Sequence, residues 1–338
     1  MKPRRRPLQD QVIVITGATS GIGLVTAKMA ARRGATVFLI SRNRERLAAT
    51  CAAIEAVGGR AAFAAADVGD QAALQQAADA AAAQFGRIDT WANIAGVAIY
   101  APILKTPRAD HERLFQTNYW GVVNAASVAI PHLEAASGTL ITVGSVVSDI
   151  GTPVLGAYAA SKHAVKGFID SLRIELLAAH SKVTVTLIKP SGIASPLAQN
   201  AANYLGKAAK VPPPAYAPED VALAILHCAV HPRREMIVGG VGALQLLGHA
   251  FMPHVVDRVS TWIIPLLGDP RRAPPGRNNL FTPNSDGSER SPFERLVLRS
   301  VHASASRRRL WAVPLVVLGA LWFMRPARRR YLVPRPRR

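Results

Sequence analysis

Residues 12–16 (VIVIT) followed by Gly17-Ala18-Thr19-Ser20-Gly21-Ile22-Gly23 constrain the fold of this chain more than any other stretch. VIVIT is an unbroken β-branched run, the pattern of a strand covered on both faces of a parallel sheet. The glycines follow at once, and an apolar helical pattern then continues to Arg33. Strand, glycine turn and helix in that order make an anion site. The backbone can approach a pyrophosphate, and the helix presents its unbonded N–H groups and positive dipole end. The spacing is G-x-x-x-G-x-G, not the commoner G-x-G-x-x-G. A purely structural turn is the competing reading, and the clean strand before it weighs against that.

Apolar strand runs alternate with helical segments through residue 230. That alternation predicts an α/β fold, a doubly wound parallel sheet of Rossmann type covered by helices on both faces. A C-terminal helical, apolar extension follows it. The third strand, residues 60–66, is rich in alanine, which favours helix by propensity, so only its place in the series makes it a strand. The second strand, residues 36–40, ends at Ser41-Arg42. An acidic residue at this point would bind the ribose 2′-hydroxyl of NAD, whereas Arg accommodates the 2′-phosphate of NADP. Ser41 and Arg42 therefore predict NADP(H), with NAD as the lesser option and a solvated basic loop as the bland reading.

Ser145, Tyr158 and Lys162 form a second constellation. Tyr158 and Lys162 are four apart and share one helix face, while Ser145 lies thirteen residues earlier, where a strand stops. A cation about 4 Å from the phenol, at an effective dielectric of about 20, contributes roughly 4 kcal/mol. That is about three pKa units, enough to bring an ordinary Tyr, at about 10, close to neutrality. Taken alone a Y-x-x-x-K match is weak; the glycine turn upstream is what gives it weight.

Together these segments resemble the short-chain dehydrogenase/reductase family. The resemblance covers T-G-x-x-x-G-I-G at 16–23, Asp67-Val68, N-x-A-G at 93–96, Asn118, Ser145, Tyr158 with Lys162, and the proline loop at 190–196. It implies Tyr158 as acid/base and Lys162 as the residue that lowers its pKa and binds the nicotinamide ribose. It also implies Ser145 as the group holding the substrate oxygen and Asn118 as the anchor of a proton-relay water. Gly17, Thr19, Ser20, Gly21, Ile22, Gly23, Ser41, Arg42, Asp67, Val68, Asn93, Ala95, Gly96, Pro190, Ile193 and Ser195 would line the cofactor cleft. The family also commonly pairs through long helices, so a homo-oligomer is expected. Two departures stand out: Ile94 replaces a second Asn, and Ser191 replaces the Gly after Pro190.

Composition sets bounds. Cys51 and Cys228 are the only cysteines and the nine His show no metal-ligand spacing, so neither a disulfide framework nor a metal is expected. The formal charge is +20, with four basic residues within 2–6 and ten arginines within 307–338, which leaves +6 for the body. Basic ends suggest anionic lipid or nucleic acid. The N-terminal run lacks an apolar core, so it is not read as a signal peptide. The chain divides into a basic leader (1–9), a dinucleotide-binding catalytic domain (10–240), an extension and linker (241–306) and an Arg-flanked apolar tail (307–338). In the extension, residues 243–267 fit a helix over the substrate cleft, a dimer contact or a membrane-surface segment. The charge-free run 310–324 would span about 22 Å as a helix, short of the roughly 30 Å hydrocarbon core. It is read as a shallow or thinly spanning membrane anchor, with a buried helix packed on the extension or a dimer mate as the alternative.

The functional expectation is an NADP(H)-dependent oxidoreductase interconverting a carbonyl and an alcohol by hydride transfer, on a small lipophilic substrate. It would be cytoplasmic, with membrane association through the tail. The alternative is a membrane-associated protein of the same fold with a binding or scaffolding role and little turnover. Specific nucleic-acid binding is not expected, because the tail interleaves its arginines with a long aliphatic block.

Overall fold

The computed structural model describes residues 5–283, 287–293 and 296–300. Seven strands form the central sheet: β1 (Val12–Thr16), β2 (Thr36–Ser41), β3 (Arg60–Ala65), β4 (Thr90–Asn93), β5 (Thr139–Val143), β6 (Thr184–Pro190) and β7 (Glu235–Val238). Their order is β7-β6-β5-β4-β1-β2-β3 and every pairing is parallel. The order reverses between β1 and β4, the point where such sheets bind ligands beyond their strand ends.

Successive side chains of a strand point to opposite faces, and β1 and β2 use both. Ile13, Ile15, Val37 and Leu39 pack on one face with α1 (Gly21–Ala31) and α2 (Arg44–Glu55). Val14, Phe38 and Ile40 pack on the other with α3 (Gln71–Phe85). The alanine-rich β3 is a strand as expected, at the sheet edge, where β2 is its strand partner and α2 and α3 pack against it. Pairing in the sheet overrides its helical propensity.

Two long helices position the chemistry. α4 (Arg108–Phe115) runs through a π-helical turn, Gln116–Trp120, into α5 (Gly121–Ala136). That wide turn carries Asn118, and such turns recur at functional sites. α6 (Gly156–Ala178) carries Tyr158 and Lys162. α7 (Pro218–Val230) covers the β6 side of the sheet.

Beyond the sheet, α8 (Gly240–Phe251) and α9 (Pro253–Thr261) pack against each other. Leu244, Phe251, Val255 and Trp262 remain exposed there. The described residues after 267 (268–283, 287–293 and 296–300) return across the body with little regular structure. The basic leader is partly structural: Arg5 is buried and donates to the Lys182 carbonyl (2.9 Å) and Thr184 Oγ1 (3.0 Å). The apolar run 310–324 lies outside the described residues, and no described helix is long and apolar enough to cross a membrane.

Candidate active site

The strand–glycine turn–helix forms where the sheet order reverses. Gly17 and Gly21 adopt φ of +69° and +50°, which glycine alone adopts freely. A Cβ on Gly17 would stand 2.8 Å from Ala95 Cα, and one on Gly23 would stand 2.1 Å from the Gly17 carbonyl oxygen. Only this sequence of glycines lets the turn close on α1 and on the loop after β4. Thr16 Oγ1 ties the two loops together, accepting from the N–H groups of Ile94 (3.0 Å) and Ala95 (3.2 Å). Thr16 was not among the expected site residues; its place at the end of β1 was the available signal.

A cavity of about 450 Å³ opens beside this turn. It is lined by Gly17, Thr19, Ser20, Gly21, Ile22, Gly23, Ser41, Arg42, Asp67, Val68, Ala95, Gly96, Ser145, Tyr158, Lys162, Pro190, Ile193 and Ser195. The structure therefore brings the two constellations of the sequence to one space. Thr19 Oγ1 and Ser41 Oγ meet at 2.9 Å across its rim. A nicotinamide dinucleotide fits this wall: a backbone turn and helix N-terminus for the phosphates, an Arg near the β2 end, and hydroxyl and ammonium groups with Ser145.

Two expected residues lie outside the lining. Asn93 accepts from Trp91 Nε1 (2.8 Å) and donates to Thr142 Oγ1 (3.3 Å), so its amide serves the β4–β5 seam. Asn118 is 1% exposed; it accepts from the Val97 N–H (2.9 Å) and donates to the Val97 carbonyl (3.0 Å) and Ser161 Oγ (3.1 Å). It stands behind Gly96, where a Cβ would lie 3.5 Å from Asn118 Oδ1 and 3.8 Å from Lys162 Nζ.

Ser145 follows β5 and caps a short 3-10 turn, Val146–Ser148. Its hydroxyl accepts from the Val147 N–H (3.3 Å) and hydrogen-bonds Tyr158. Lys162 Nζ donates to the Val143 carbonyl (2.8 Å) and lies 5.6 Å from the centre of the Tyr158 ring. Burial dominates the electrostatics of the pair. It pushes the phenol up to about 12, against the Ser145 hydrogen bond, and pushes the Lys162 ammonium down to about 8. The expectation of a phenol softened to near neutrality by its lysine is thus corrected. Desolvation opposes charge on both groups, and the ammonium is engaged by a carbonyl.

At the other end, sequence reasoning missed Arg113. Its Nη2 pairs with Asp67 Oδ2 at 2.5 Å. Burial works to raise the Asp67 carboxyl, but the Gly69 N–H, Arg113 and Arg42 together hold it below its ordinary value. Arg42 is lowered by burial, with Asp67 opposing. No sequence motif marks Arg113, which sits on α4 far from the glycine turn in the chain.

A dinucleotide cleft at a topological switch point, with hydroxyl, phenol and ammonium on one wall, defines a nicotinamide-dependent oxidoreductase. The family model for short chain dehydrogenases matches residues 11–205. The uncharacterized oxidoreductase YxnA of Bacillus subtilis is 41% identical over 76% of this chain and 73% of its own. A short chain dehydrogenase from Burkholderia cenocepacia solved with NADP superposes with a TM-score of 0.64 at 24% identity, over 75% of this chain and 99% of that one. One from Burkholderia phymatum solved with NAD gives 0.61 at 24%, over 78% and 96%. This chain belongs to the short-chain dehydrogenase/reductase family and is an NAD(P)-dependent enzyme acting on CH–OH or C=O groups.

Proposed function

We propose that the protein is an NADP(H)-dependent carbonyl reductase or alcohol dehydrogenase for a small lipophilic substrate. One observation carries the reading: Ser145, Tyr158 and Lys162 share a cavity whose remaining wall includes Tyr100, Leu155, Leu197, Val211, Ile263 and Leu266. Apolar walls favour substrates that release water on entry. In the 190–218 loop Ile193, Leu197 and Val211 line the cavity, whereas the Tyr204 hydroxyl turns away to Asp110 at 2.7 Å.

When bound, the nicotinamide supplies or accepts a hydride at the substrate carbon. In reduction Tyr158 gives its phenolic proton to the substrate oxygen; in oxidation it takes that proton back. Ser145 hydrogen-bonds the same oxygen and orients it. Lys162, fixed by Val143, keeps its charge beside the phenol, and Asn118 braces the floor under Gly96. The glycine turn and Ser20 would hold the pyrophosphate, Asp67 and Val68 would lie toward the adenine, and Ile193 and Ser195 would cover the carboxamide. Ser41 in place of an acid, followed by Arg42, supports NADP(H) over NAD(H).

A panel of ketones, aldehydes and secondary alcohols of rising chain length, followed by nicotinamide absorbance with each cofactor, tests the reading. Catalytic efficiency should rise with chain length and be higher with NADP(H). A preference for short polar substrates, or for NAD(H), contradicts the corresponding part.

A further inference from the structure

Residues 277–283 cross the cofactor cleft at the Arg42 end, and Asn279 and Pro283 form part of its wall. The crossing is anchored at several points. Leu280 is 1% exposed and packs with Val97, Ile99, Leu114 and Ala202. The Asn279 N–H donates to the Asn200 carbonyl at 2.8 Å. Further along, the Ser288 carbonyl accepts from the Gly21 N–H at 2.9 Å, and Glu289 pairs with Lys28 on α1 at 2.7 Å. The Arg42 guanidinium donates to the carbonyls of Leu280 and Phe281, both at 3.3 Å, and to that of Asn279. Arg113 Nε also donates to the Leu280 carbonyl, at 3.0 Å.

The residue suited to a 2′-phosphate is therefore held by neutral carbonyls of this chain's own C-terminal segment. We propose that residues 279–281 are a cofactor-specificity element, a latch on Arg42 that a 2′-phosphate releases and a 2′-hydroxyl does not. The proposal rests on reading the cleft as a dinucleotide site. A phosphate dianion meets the guanidinium with full opposite charge and can engage it bidentately, whereas a carbonyl offers only a dipole. Carbonyl oxygens aimed at the same N–H groups would repel it. NADP(H) takes Arg42 from the segment, whereas a 2′-hydroxyl brings no charge to compete. Leu280 and Arg113 keep the latch near the cleft once Arg42 is withdrawn.

Hydrogen exchange of the full-length protein tests this without any substitution. NADP+ and 2′,5′-ADP should speed exchange of the Asn279 and Leu280 amides, whereas NAD+ and 5′-AMP should not, though NAD+ should protect the glycine turn. Arg42→Ala should speed the same amides with no ligand present. Leu280→Asp, checked by circular dichroism for a folded chain, should raise the ratio of NADP+ to NAD+ affinity several-fold, because fewer molecules begin in the state that excludes the phosphate. Leu280→Ala should do so more weakly. Unchanged exchange at 279–280 under saturating NADP+, or equal release by NAD+, overturns the latch. If neither dinucleotide protects the glycine turn, the cleft reading itself fails and the latch with it.

Discussion

At the residue scale, burial sets the properties of Tyr158 and Lys162. Lys162 is 4% exposed and pushed down to about 8, while Tyr158 is pushed up to about 12. The phenol therefore begins carbonyl reduction protonated, and Lys162 is the group whose charge changes near neutral to mildly basic pH. The sign follows: Lys162 is charged below about 8 and neutral above. The catalytic efficiency of carbonyl reduction should be flat at lower pH and fall through about 8 as that charge is lost. A profile flat to pH 10 would contradict this use of Lys162. That Tyr158 and Lys162 share one helix face was legible because side-chain spacing on a helix is a sequence property. Their electrostatics were not, because desolvation depends on what covers them. The partners of Arg42 were invisible for a different reason: three backbone carbonyls about 240 residues away carry no side-chain signature.

At the element scale, the site is made where β1 and β4 end and α1 begins. Thr16 on β1 satisfies two N–H groups of the loop that follows β4. Thr16→Val keeps the shape and orphans both donors, each worth about 1–3 kcal/mol when buried. A lower melting temperature with weakened dinucleotide binding is expected from thermal melts and cofactor titration; unchanged values of both would remove Thr16 from the site. The strands and helices themselves were legible. VIVIT marked β1, and the order of segments placed even the alanine-rich β3. The π-helical turn at Asn118 was not legible, because an extra residue in a helical turn leaves the apolar pattern of its flanks intact. Nor did composition show that Asn279 and Pro283, within the extension and linker, line the cleft: Pro, Gly and Asn indicate irregular backbone without indicating where it lies.

At the scale of the whole molecule, one parallel sheet supplies the cofactor crevice, and the segments after it shape the substrate side. Ile263 and Leu266, next to α9, line the same cavity as Tyr158. The extension thus bears on function through that wall, whatever its exposed Phe251 and Trp262 meet. The proposed mechanism turns on proton transfer by Tyr158 at the end of a dinucleotide cleft. The direct measurement is the rate of nicotinamide-coupled turnover for Tyr158→Phe beside a cofactor titration of the same variant. Turnover should fall by about 10²–10⁴-fold while dinucleotide affinity stays near that of the unmodified protein. Turnover retained at the original rate would contradict the assignment.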